Sequence, residues 1–203
     1  MSAHEDARDR RDACAGKADE KPSWLFGSGA TTAEKVLVYT ASVVGCTAFA
    51  VANRSRDWGW GQWLFGLLLV WDVVGGVVAN GLDPVKRFYH SPLTFSVGWV
   101  RRFLHHPVGF AAGHIHPIVV ALVFTGSPWW WGPLWYLWCL GGVACVEYLS
   151  PRIQLPVALT VVACGVMIAP MTHSPQGMSW FPAIMLLKLV LAHGVPDRAL
   201  ISA

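Results

Sequence analysis

Charge is the first thing this chain lacks. Only 13% of its 203 residues are Asp, Glu, Lys or Arg, against about 25% in an ordinary soluble domain. Long polar stretches are absent after about residue 35. With 54% hydrophobic residues and a mean hydropathy of +0.45, this composition points to an integral membrane protein, not a soluble globule. Cysteine pairs of the CxxC type are missing too. Cys14, Cys46, Cys139, Cys145 and Cys164 stand apart, four of them in apolar segments, as small packing residues would. No short apolar region with a cleavage site lies near the start, so no secretory signal peptide is expected. The net charge of +3 is modest and sits mainly on one membrane face, which argues topology and against nucleic-acid binding. No internal repeat is present.

What the chain does have is apolar length. Residues 1–28 are polar, mixed in charge and poor in aromatics, and are expected to form a disordered cytoplasmic tail. Residues 29–203 read as one transmembrane domain of about six helices. Thr31-Thr32-Ala33-Glu34 is a capping box opening span 1, Val36 to Ala52. Span 2 runs from about Gln62 to Asn80 and stops at Gly81-Leu82-Asp83-Pro84, because proline cannot continue a helix. Between Val85 and Leu104, the apolar residues Leu93, Val97, Val100 and Leu104 recur at helical spacing among Lys86, Arg87, Arg101 and Arg102. That pattern predicts an interfacial amphipathic helix. Span 3 begins at His106-Pro107 and runs to about Phe124. Span 4 covers Trp130 to Leu149, span 5 Leu155 to Met171, and span 6 Trp180 to Val195. Trp58, Trp60, Trp63 and the run Trp129 to Trp131 fall where spans begin or end, as an interfacial aromatic belt would.

Orientation follows from the basic residues. With both termini on one face, that face collects Arg8, Arg10, Arg11, Lys17, Lys21, Lys35, Lys86, Arg87, Arg101, Arg102, Arg152 and Arg198. The other face has Arg54 and Arg56 alone, and Lys188 lies within span 6. Both termini are therefore expected in the cytoplasm of a cell whose inner or plasma membrane holds the protein.

Topology turns the polar residues into a geometry. Asp72 lies eight residues inside span 2 from Asn80, roughly 12 Å deep. His105 and His106 are interfacial, and His114 and His116 reach about the depth of Asp72. Glu147, His193, Asp197 and Lys188 arrive at the same side from spans 4 and 6. Ionisable groups are expensive in hydrocarbon, so such a convergence marks a functional site. Asp72, Gly75, Gly76, Ala79 and Asn80 share one face of span 2. The pairs Gly75-Gly76 and Gly141-Gly142 predict close helix approaches within or between chains. Pro117 removes a donor inside span 3 and frees the Gly113 carbonyl, so a kink is expected beside His114 and His116. Residues two apart point in nearly opposite directions on a regular helix, and only a distortion would let both face one site.

The site expected from these residues is a metal site, since imidazole and carboxylate together suit iron, zinc, copper or manganese. Candidate ligands are His106, His114, His116, His193, Asp72 and Glu147, with His105 and His90, for one or two ions, iron ahead of zinc or copper. Asp72 and Glu147 are the candidate acids, and Asn80 and Lys188 the candidate substrate contacts. Blander roles compete: Asp72 with Lys188 as a packing ion pair, Glu147 with Arg152, Asn80 and Asp83 as caps, His90 or His105 as interfacial hydrogen bonders. His4 and His173 are assigned outside the site.

A histidine-rich cytoplasmic membrane face is similar in outline to the di-iron membrane hydroxylases and desaturases. Their HxxxH, HxxHH and HxxxHH boxes are absent; here stand His105-His106 and His114-Ile115-His116, with fewer histidines than those families use. The resemblance implies O2-dependent hydroxylation or desaturation of a hydrophobic or lipid substrate, and no residue role is carried over from it. Three other readings use the same residues. One is a zinc hydrolase with an acid as general base, in which Lys86, Arg87, Arg101 and Arg102 meet a lipid phosphate. Another is an acid-initiated cyclase with Asp72 or Glu147 as proton donor. The last is a non-enzymatic protein that binds haem between His114 and His193 for electron transfer, or carries ions or protons through the polar cluster.

Overall fold

A computed structural model describes residues 25–91 and 98–196, and these are all-helical, with no strand among them. Most of the polar tail, as well as Leu93, Val97 and Asp197, lies outside the described residues. The helices are α1 (Thr32–Asn53), α2 (Trp60–Gly81), α3 (Asp83–His90), α4 (Trp99–His105), α5 (Pro107–Gly113), α6 (His116–Val123), α7 (Trp131–Tyr148), α8 (Pro151–Ile168) and α9 (Phe181–Leu186). A 3₁₀ turn, Ala169–Met171, extends α8, and a π-helical stretch, Leu187–His193, continues α9. Helical segments thus occur at all six places where a span is expected. By length and apolarity, three of them are able to cross a membrane: α1, α2 and α8 with its 3₁₀ turn. A fourth qualifies if the α4 and α5–α6 pair, bent by 101°, counts as one span. In α7 the tryptophans and Glu147 dilute the hydropathy, and α9 with its π stretch is short.

Local chemistry explains the element ends. The capping box forms as expected: the Thr31 hydroxyl accepts from Glu34 N at 3.2 Å, and Thr31 N donates back to the Glu34 carboxylate at 2.6 Å. Pro107 and Pro117 stand in the first turns of α5 and α6, where a missing donor costs nothing. The expected amphipathic helix over Val85–Leu104 is replaced by two short ones. Helix α3 buries Val85 and Tyr89, whereas α4 exposes Trp99, Val100 and Phe103 beside Arg102.

Helix α2 is central, packed against α1 on one side and the π stretch on the other. Its glycines make both contacts possible. A Cβ on Gly75 would collide with the Ser42 hydroxyl of α1, and one on Gly76 would lie 2.5 Å from Lys188 Cε. The core joins Val70, Val73, Trp131, Trp135, Phe181, Met185 and Leu189. Trp131 corrects the expected aromatic belt. Trp129 and Trp130 are exposed as a belt requires, but Trp131 is fully buried and packs on Phe181, 6.4 Å between ring centroids. Trp58 and Trp63 likewise pack together at 5.3 Å and on Phe49 at 5.7 and 6.1 Å. Large rings gain more from one another than from an interface when the helix turns them inward.

Candidate functional site

The site begins with a break. Between α5 and α6 the backbone at His114 takes φ −87°, ψ 66°, and Ile115 N donates to Gly113 O at 3.1 Å. That is an inverse γ-turn centred on His114. The carbonyl freed by Pro117 is thereby given a donor, and the kink expected from the sequence is realised. Its effect is to bring the two imidazoles to one side, 5.3 Å apart between ring centroids.

Asp72 of α2 faces them. His116 Nε2 lies 3.9 Å from Asp72 Oδ2. One donor atom from each of Asp72, His114 and His116 falls within 4.8 Å of the others, so these three residues could hold a metal ion. Three donors evenly spread around one ion at about 2.0–2.2 Å stand at most about 3.8 Å apart, so a group spread over up to 4.8 Å must close by about an ångström to bind. One of the two imidazoles is held by a hydrogen bond. His114 Nδ1 is 2.7 Å from the carbonyl of Phe110, four residues back in α5, to which it donates. Its Nε2 therefore carries the lone pair, the usual arrangement for a metal-ligating histidine. His116 Nδ1 is buried and has no hydrogen-bond partner.

A cation already stands there. Lys188 Nζ donates to Asp72 Oδ2 at 2.6 Å, from a side chain only 3% exposed. It reaches Asp72 along the surface of Gly76, where any side chain would displace it. Asn80 Nδ2 donates to the Lys188 carbonyl at 3.5 Å and so braces the backbone of the π stretch. Lys188 and His193, five residues apart, are both buried. On an α-helix they would diverge by about 140°. The i→i+5 bonding of the π stretch, such as Gly194 N to Leu189 O at 2.9 Å, brings them nearer one face.

The remaining candidates do not join this group. His193 stacks on Phe110 at 4.1 Å, and Phe110 in turn packs on His114 at 4.4 Å, so a phenyl ring stands between the two histidines. His90 Nε2 donates to the His193 carbonyl at 2.9 Å, and the two rings are 6.1 Å apart. Burial pulls the His90 imidazole below its ordinary pKa, with the carbonyl bond opposing, and keeps it neutral at physiological pH. Tyr89, packed between His105 at 5.9 Å and His193 at 4.7 Å, has its phenol pushed up to about 12 by burial. His105 Nε2 bonds the Ser91 carbonyl at 2.9 Å. His106 caps α5 through Val108 N at 3.3 Å and pairs with Glu147 at 3.7 Å, the place where Arg152 was the alternative. Asp83 lies in the first turn of α3, a helix that has no side-chain cap.

Two residues that order the site drew no attention in the sequence, Phe110 and Tyr89. The one available signal for Phe110 is its position four before His114, where its carbonyl becomes the imidazole's acceptor. Tyr89 had none, because its ring partners include residues of α4, α5 and the π stretch.

No family model, curated protein or solved structure matches this chain.

Proposed function

We propose that the chain is an integral membrane protein of six spans, with both termini in the cytoplasm. In this reading Asp72, His114 and His116 bind one transition-metal ion for an oxidoreductase acting on a hydrophobic substrate. The observation that carries the proposal is the approach of two imidazoles and one carboxylate, from two separate helical segments, to within 4.8 Å. Two histidines and a carboxylate with open positions form the donor set of non-haem iron(II). Iron is accordingly placed ahead of zinc and copper, and one ion ahead of two. An iron ion so held would supply O2 activation for hydroxylation or desaturation. The chain's own part is to orient a ligand: Phe110 holds the His114 ring through its carbonyl. His90, His105, His106, His193 and Glu147 are left out of the ligand set. The twelve-to-two bias of basic residues supports the orientation, and the six helical segments support the span count.

The Lys188 ammonium favours a second reading, in which its contact with Asp72 replaces a metal and the group carries protons or ions. Elemental analysis of the detergent-purified protein separates the two, beside the double variant His114→Ala/His116→Ala. Stoichiometric iron that disappears in the variant is the expected result. Zinc in its place would move the chemistry to hydrolysis, with a metal-bound water as nucleophile. A metal-free protein, unchanged by iron(II) reconstitution under anaerobic conditions, refutes the metal site.

A further inference from the structure

A cleft of about 430 Å³ runs between α1, α2 and α9, away from the Asp72 group. Asn53, Arg56 and Ser179 lie next to the loops that join the helices, and the lining is otherwise mostly apolar, with Phe49 and Val74 from α1 and α2 and Ile184 from α9. The polar part is built and held in place. Asn53, only 3% exposed, donates through Nδ2 to the Phe49 carbonyl at 2.9 Å and accepts from Arg56 Nε at 2.8 Å. Arg56 also lies over the Trp58 ring, 5.8 Å from its centroid. Gly177, at φ 76°, passes so close to Asn53 that a Cβ there would collide with its side-chain oxygen. Among the described residues no carboxylate is paired with Arg56. Its terminal nitrogens are thus left to take an anion in the two-pronged manner that guanidinium favours.

We infer that this cleft binds a single-chain fatty-acid carboxylate, its head on Arg56 and its tail along Phe49, Val74 and Ile184. The volume falls in the range of about 300–1,000 Å³ of small-molecule sites, which suits one hydrocarbon chain and not the two chains of a bilayer phospholipid. The position of Arg56 decides the direction of binding. A carboxylate among the apolar residues would be unpaired, whereas at Arg56 it gains charge-assisted hydrogen bonds. The lining reaches Val74, two residues beyond Asp72 but turned toward α1, where a Cβ on Gly45 would touch Val74 and Val70 at 3.1–3.2 Å. Binding here needs no metal, so the inference stands apart from the proposed function.

The test uses the full chain in phosphatidylcholine vesicles, titrated with dibrominated stearate, whose bromines quench Trp180 in the cleft wall. Quenching should saturate, and its Trp180 share should vanish in Trp180→Phe. Arg56→Gln should weaken binding about tenfold, the scale of a charge-assisted pair, and Arg56→Lys should restore part of it. Ala48→Phe, which fills the cleft from α1, should remove the saturable component. A second measurement needs no variant: dibrominated stearyl alcohol should bind the native protein about tenfold more weakly than the acid, matching the Arg56→Gln loss. Equal binding of acid and alcohol overturns the inference. So does equal quenching by dibrominated phosphatidylcholine, which would mean that ordinary bilayer lipid fills the cleft.

Discussion

Replacing Lys188 with methionine should tighten metal binding, and the geometry says why. The ammonium is 2.6 Å from Asp72 Oδ2, the same oxygen that faces His116 Nε2 at 3.9 Å. Any cation held by Asp72, His114 and His116 therefore stands within a few ångströms of a fixed positive charge. Two unit charges 4 Å apart repel by about 4 kcal/mol at an effective dielectric constant of 20. A divalent ion feels more, and the half-exposed Asp72 screens part of it. Even a third of the unit-charge figure, about 1.4 kcal/mol, is tenfold in affinity. Methionine keeps the length and apolar stem of lysine, so the packing against Gly76 should survive. Cobalt(II) titration in detergent, followed by its visible d–d bands and by calorimetry, should give a dissociation constant at least tenfold lower for Lys188→Met. Asp72→Asn should give no measurable binding. Affinity unchanged or weakened in Lys188→Met would refute the argument, because the ammonium would then be supporting the site and not competing for it.

The same pair predicts a stability cost from either side. Asp72→Asn strands a buried ammonium and should cost about 3–5 kcal/mol, and Lys188→Met, which strands a carboxylate inside a span, should also destabilise; thermal melting in one detergent checks both. Gly76→Ala should destabilise by about 1–3 kcal/mol, since its Cβ meets the buried Lys188 stem. Gly141→Ala, with nothing within 4 Å, should be neutral or stabilising in the same melts. His90 predicts a pH effect. Its folded pKa lies below 6.5, so stability is complete above pH 6.5 and falls as pH drops from there toward the lowered folded value, while the unfolded chain alone takes up the proton. The slope contributed in that window is at most about 1.4 kcal/mol per pH unit. His90→Gln, which retains a donor for the His193 carbonyl, should reduce it, and an identical slope in that variant would show that His90 does not contribute.

Much of this was readable in the chain because it rests on local rules. The capping box at Thr31, the stop at Gly81 to Pro84 and the start at Pro107 depend on residues within a turn of one another. The break at His114 was legible for the same reason: a proline three residues on leaves one carbonyl without its helical donor, wherever the helix sits. The membrane-like character follows from composition alone, and the small residues of α2 announced close contacts without naming the partners. Other features could be decided only by tertiary packing. Eight candidate ligands share a face in sequence terms, yet Phe110 lies between His114 and His193, and Glu147 is taken by His106. Hydropathy cannot foresee such a partition, because it depends on which ring fills which gap between helices. Trp131 was indistinguishable from its two neighbours until α7 turned it onto Phe181. The π stretch that buries both Lys188 and His193 has no local sequence signal. It coincides with the ion pair to Asp72 and the close approach over Gly76, contacts made between helices more than a hundred residues apart in the chain.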